Sequence, residues 1–422
     1  MPTTTHLDAT AVRVLRELEA MTIIDAHEHL PTEAERLKQP VDALTMFSHY
    51  CRIDLLTACG VSAERVNHIF YSDAPLAERW TAFKPWYDRM ANTAYVRAAH
   101  IAMEKFYGHR ELRDDNIEAI TAAMRTANTP GLYQRVLRDA CKIETCLNIR
   151  ESWLQSGKSA DGLLTPVHWP PLISRSSFPD LSGLLQRDIT TIEDYLDAAR
   201  AYVQFVRRTG GVGCKFFVFP MKKPDLAAAR TLFDEAMRSP DKEKNHHFPS
   251  PVADVFFDAV FDEIQKQGLV AAVHTGYWGD FRTLNPSSVI DLADRYPGVM
   301  FDVFHLGYPY VREAIMLAKG RGNVYLNLCW TYIISPKFAY DALVEILEMV
   351  PSHKIIGFGG DYSCSPVEKV YGHLVMAREV IARALATKIA DGWFTFDGAI
   401  AMAKKMLYDN PKTLYRLGGT AA

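Results

Sequence analysis

The chain has 422 residues, 48% of them hydrophobic, which is enough to bury a large core and too long for one minimal domain. A net charge of −3 shows no basic excess, which excludes the electrostatic footprint of a nucleic-acid or anionic-membrane binder and leaves a small-molecule substrate as the expectation. Seven cysteines without a CxxC pair exclude a disulfide framework or zinc-finger set, and the absence of any signal-like or membrane-length apolar run predicts a cytoplasmic enzyme.

The first predicted strand is Thr22–His29, an Ile-Ile lead running into Asp25, His27 and His29. On a strand, side chains at i and i+2 leave the same face, so the two imidazoles can converge on one cation; on a helix they would diverge. Asp25 shares that face one step deeper, as a partner that orients a histidine.

Residues 31–139 read as a long, mostly helical insertion over the barrel mouth, with an aromatic-rich segment at Leu76–Tyr107. His49 and Arg52 follow the first strand and can reach the site from its loop; helix packing and solvent contact are the competing reading.

Seven further apolar runs follow: Lys142–Asn148, Gly162–Trp169, Val212–Phe219, Leu269–Thr275, Val299–His305, Val324–Trp330 and Lys354–Asp361. Helical spacing separates the later runs, at Ala253–Gln267, Pro286–Tyr296, Tyr340–Met349 and Val367–Ala386. Eight such βα units close a (β/α)₈ TIM barrel, read here as a single metal-dependent hydrolase-type barrel over 1–422. The gap Arg150–Asp161 is short for a full crossover helix and puts one of its flanking strands in question.

Five of the runs end on ligand-type side chains: His27 and His29, Lys215, His274, His305 and Asp361. A barrel gathers those ends into one ring at its C-terminal face. Trp330 and Tyr332 follow the seventh run, where the barrel geometry puts a substrate-binding residue near the mouth. Gly357–Gly360 precedes Asp361 and opens no helix, so it is no phosphate cradle.

This order of residues resembles the amidohydrolase superfamily, and the stretch His274–Asp361 is similar to its amidohydrolase-2 branch, alongside uronate isomerases and amino-carboxymuconate-semialdehyde-type decarboxylases. The resemblance implies that His27, His29, His274 and Asp361 ligate a divalent metal. It further implies that Asp361 relays a proton and that His305 polarises the substrate. Zn²⁺ suits such a donor set best, with Mn²⁺ or Fe²⁺ as alternatives. Lys215 is either carboxylated, bridging two metals, or an unmodified ammonium beside one. The expected chemistry is hydrolysis of a small amide, lactone or related bond by activated water. Decarboxylation or uronate-type isomerisation is the alternative. A homo-oligomer is compatible with the sequence and fixed by nothing in it.

Overall fold

The computed structural model describes residues 7–150, 159, 161–239, 247–363 and 366–418. Its strands are β1 (Ile23–Glu28), β2 (Ile143–Arg150), β3 (Leu164–His168), β4 (Gly213–Phe217), β5 (Val270–His274), β6 (Met300–Phe304), β7 (Val324–Asn327) and β8 (Ile355–Ile356). They form one parallel sheet in chain order. Its edges meet where the Ala26 amide donates to the Phe358 carbonyl at 3.0 Å and the Asp361 amide to that of His27 at 2.8 Å. The chain therefore closes as a TIM barrel. Both strands beside the short Arg150–Asp161 gap form, and they pair in register from Cys146 and Leu164 to Arg150 and His168; residues 151–158 and 160 lie outside the described residues.

The interior of the barrel is an apolar column that includes Ile24, Ala26, Leu147, Val167, Ala272, Phe304 and Ile356. From below, Leu414, Tyr415 and Leu417 pack into the same column. The other strand faces bury Ile23, Ile143, Cys214 and Phe216 against the surrounding helices. Strands covered on both faces need apolar residues at nearly every position, which is why the runs were nearly continuous in the sequence.

β8 is short because the Gly357 amide donates to the Met406 carbonyl at 2.8 Å and the chain then hugs its neighbours. A Cβ at Gly359 would meet the Cβ of Cys329 at 2.5 Å, and one at Gly360 would meet Glu28 Oε1 at 1.8 Å. The glycines serve this close approach.

Between β1 and β2 the chain is helical, at Glu33–Lys38, Tyr50–Leu56, Ala63–Tyr71, Leu76–Met90, Ala94–Tyr107 and Ile117–Ala127. These helices bury a cluster of their own around Phe47, Phe70, Phe83, Met103 and Ile120. The aromatic-rich segment forms two helices, with Thr93 capping the second through the Val96 amide. The predicted helix Val367–Ala386 runs Lys369–Ala390. Among the described residues no helix is long and apolar enough to cross a membrane, and the six described cysteines are free; Cys364 lies outside them.

Candidate active site

The C-terminal ends of β1, β4, β5, β6 and β8 bring His27, His29, Lys215, His274, His305 and Asp361 toward one point. His27 Nε2 lies 2.9 Å and His29 Nε2 3.5 Å from Asp361 Oδ1, while His305 Nε2 lies 3.9 Å from Oδ2. Ligands about 2.1 Å from a tetrahedral cation stand about 3.4 Å apart, so these separations fit one divalent ion. The tightest group is His27, His305 and Asp361, whose ligand atoms all fall within 4.8 Å of one another. His305 stands in the cluster, and His274 stands behind it, with Nδ1 3.0 Å from His305 Nε2.

The hydrogen bonds assign the tautomers. His305 Nδ1 faces the Cys329 carbonyl oxygen at 3.1 Å, which fixes its proton there and leaves Nε2 as an acceptor for the Nδ1–H of His274. The Nε2 of His274 is then bare, and this buried atom has no hydrogen-bond partner among the described residues; neither has Nδ1 of His27. Burial lowers the pKa of all four imidazoles, to about 4 for His29 and about 3 for His305, and well below the usual value for His27 and His274. Neutral imidazole is the form that binds a cation, so the donor set is ready without proton loss.

Three of the strand ends carry unusual backbone. His305, Trp330 and Asp361 have φ of 65°, 66° and 59°. Left-handed non-glycine residues cost about 1–3 kcal/mol each and persist where the surroundings over-determine them. Here the Asp361 amide is held by the His27 carbonyl and the Trp330 amide by that of Gly359. Tyr50 donates to the Asp361 carbonyl.

Lys215 is buried, with Nζ 3.4 Å from His27 Nε2 and 3.9 Å from the centre of the Phe304 ring. Trp169 is its second aromatic neighbour, at 5.9 Å. The sequence neighbour Phe216 instead packs outward on Phe261. Burial lowers the Lys215 pKa to about 8, with the Asp361 charge acting in the opposite sense.

Several expected contacts are placed differently. Asp25 orients no imidazole: its Oδ1 accepts the backbone amides of His27 (3.2 Å) and Gly360 (3.1 Å). Beside it lies Glu28, to which the sequence reading gave no role. The register shift between Asp25 and Glu28 turns Glu28 inward, where it accepts the Tyr362 amide at 2.8 Å. Burial raises both carboxyls, Asp25 to about 7, and the charge of Asp25 raises Glu28 further. An unbroken strand would have pointed Glu28 away from the histidine face, so only the bulge reveals it.

Tyr332 does not line the mouth. Its hydroxyl donates to the Gly357 carbonyl at 2.7 Å and its ring is fully buried. Trp330 does reach the site, its ring edge-on to His305 at 5.2 Å and stacked with Tyr50 at 5.2 Å. His49 Nε2 bonds the hydroxyl of Ser363 at 2.8 Å, just past Asp361. Arg52 lies over the Tyr71 ring at 6.0 Å instead of reaching into the cluster.

A parallel eight-stranded barrel whose strand ends collect imidazoles and one carboxylate at cation spacing defines the class of metal-site TIM-barrel enzymes. The sequence profile described as amidohydrolase matches residues 186–417, and the chain belongs to that family. Uronate isomerase of Thermotoga neapolitana is 21% identical over 467 residues, covering 96% of this chain and 97% of that protein. Protein fluG of Emericella nidulans is 29% identical over 196 residues, 45% of this chain; the chain spans 22% of that protein's length. The solved uronate isomerase of Thermotoga maritima superposes with a TM-score of 0.79 at 16% identity, over 97% of this chain and 98% of that one. The hydrolase expectation is corrected by these matches, because the relatives aligned end to end are isomerases.

Proposed function

We propose that the chain is a metal-dependent aldose–ketose isomerase of a uronic acid. The observation that carries this reading is the end-to-end alignment with a uronate isomerase. Such a reaction moves one proton from C2 to C1 while the C1 carbonyl becomes a hydroxyl and the C2 hydroxyl a carbonyl. Nothing enters or leaves, so the protein has to hold the open chain, exclude competing chemistry and carry a proton over a short distance.

The neutral imidazoles of His27 and His29 and their Nε2 spacings to Asp361 fit a divalent cation. His27, His29 and Asp361 would hold it, with His305 Nε2 engaged by His274, and zinc suits these donors best. When bound, the cation supplies polarisation of the adjacent carbonyl and hydroxyl oxygens. Two groups are placed to take and return the proton: the Asp361 carboxylate and the Nε2 of His274, kept bare because its Nδ1–H is spent on His305. Unmodified Lys215 supplies the positive charge for the substrate carboxylate.

The test is proton NMR of the zinc-loaded protein with D-glucuronate or D-galacturonate in D₂O. The expected result is the ketose carrying deuterium from solvent. No ketose from either acid overturns the reading, and release of CO₂ transfers it to decarboxylation.

A further inference from the structure

The aromatic partition beside the site has a second face. Tyr95, Tyr50 and Trp330 stack in sequence, with ring centres 4.7 Å and 5.2 Å apart. On their outer side lies a cavity of about 490 Å³, whose lining includes Asp54, Tyr95, Arg97, Tyr277 and Tyr308. It is walled by two of the helices between β1 and β2 and by the loops after β5, β6 and β7. Its size falls in the range of small-molecule sites, about 300–1,000 Å³, and it contains none of the cation-cluster residues.

We propose that this cavity is an outer binding site for the closed-ring form of a sugar acid, separate from the cation cluster. The inference rests on the sugar-acid reading above. Uronic acids in water are overwhelmingly cyclic, whereas isomerisation requires the open chain, so the enzyme meets its substrate in a form that the inner site does not convert. Asp54 carries the recognition. Asp54 lines the cavity, half-buried, and among the described residues its carboxylate has no hydrogen bond or ion pair. Burial has raised it to about 6, the mark of an acceptor without donors, and sugar hydroxyls are donors. Tyr277 is 37% exposed, with its ring 5.8 Å from that of Trp330, and offers a flat face to the C–H side of a pyranose. Arg97 makes only a loose pair, 3.6 Å from Glu379, on a half-exposed side chain, and reaches a ligand carboxylate at the rim.

The probe is methyl β-D-glucuronide, whose glycosidic bond locks the ring so that it is never isomerised. Calorimetric titration of the zinc-loaded protein should show binding. Asp54→Asn should weaken it about tenfold or more, as expected for hydrogen bonds to a charged acceptor. Asn92→Trp, which fills the cavity from its exposed rim, should abolish it. Asp361→Asn should leave it unchanged. No binding by the wild type overturns the proposal, as does binding that survives both cavity variants or that vanishes with Asp361→Asn. Because binding is read without turnover, a protein that isomerises uronates yet ignores the glucuronide refutes the outer site alone. A protein that binds the glucuronide through Asp54 yet isomerises nothing refutes the isomerase reading alone.

Discussion

At the floor of the barrel, Asp302 on β6 spends Oδ2 on two donors, the Tyr415 hydroxyl at 2.7 Å and the Asn327 amide at 3.0 Å. At the mouth, one strand end higher, His305 and His274 bond each other and leave a bare nitrogen, and His27 leaves another. Both ends bury titratable groups in an apolar column. The floor supplies two donors to one Asp302 oxygen and leaves Oδ1 without a partner among the described residues, while the mouth leaves imidazole nitrogens bare. Buried polar groups without partners are costly, and the difference between the two ends is chemical: at the mouth the bare atoms are imidazole nitrogens, which take up cations or protons, and at the floor a carboxyl oxygen.

The largest predicted effect breaks the mouth. On the proposed function, His27→Ala or Asp361→Asn removes a proposed cation donor and should lower isomerase kcat/KM by about a thousandfold or more, with metal content falling in parallel by mass spectrometry. Chelation of the wild type should reproduce the loss, and added zinc should restore it. Full activity in metal-free protein would remove the distinction between the two ends.

The floor responds through stability and pH. Burial raises Asp302 from 3.8 to about 7, so between those values the folded state keeps a proton that the unfolded state has released. The neutral carboxyl is therefore favourable at low pH, and stability falls as pH rises through that window, by about 1.4 kcal/mol per unit. Asp302→Asn keeps an oxygen acceptor and has no proton to lose. Between pH 5 and pH 7.5, its unfolding free energy in urea should gain roughly 2 to 3 kcal/mol on the wild type. A constant difference between the two proteins would show that Asp302 is charged in the folded state. Activity should change little in either case.

The barrel was legible because β1 to β7 are covered on both faces and so write nearly continuous apolar runs. The end of β8 was less so, since residues 358–361 form irregular chain held to β1 rather than regular ladder. Among site residues, His27 and His29 could be read from their i, i+2 spacing, and their rings lie 4.9 Å apart. The order of His274 and His305 could not. Each follows an apolar strand, and only the left-handed turn at His305 decides which imidazole comes forward. Glu28 was hidden for a similar reason, because a register shift reverses the direction that alternation predicts.

The smallest effect concerns two neighbours in sequence that the same turn sends apart. Trp330, at φ 66°, ends the approach from β7 with its ring on His305, and the helical turn Thr331–Ile334 that follows carries Tyr332 to Gly357 instead. Tyr332→Phe should cost about 1 kcal/mol of unfolding free energy, the worth of one buried hydrogen bond, and leave kcat/KM within about twofold. Trp330→Ala removes the ring shared by His305 and Tyr50, so it should raise KM and lower kcat together. Its effect on kcat/KM should exceed that of Tyr332→Phe by about tenfold, as expected when a positioning contact is lost. Equal losses from the two substitutions would mean that Tyr332 contributes to the site through Gly357 and the glycine-rich segment that holds Asp361. The boundary between catalytic face and supporting shell would then lie one layer deeper than the hydrogen bonds place it.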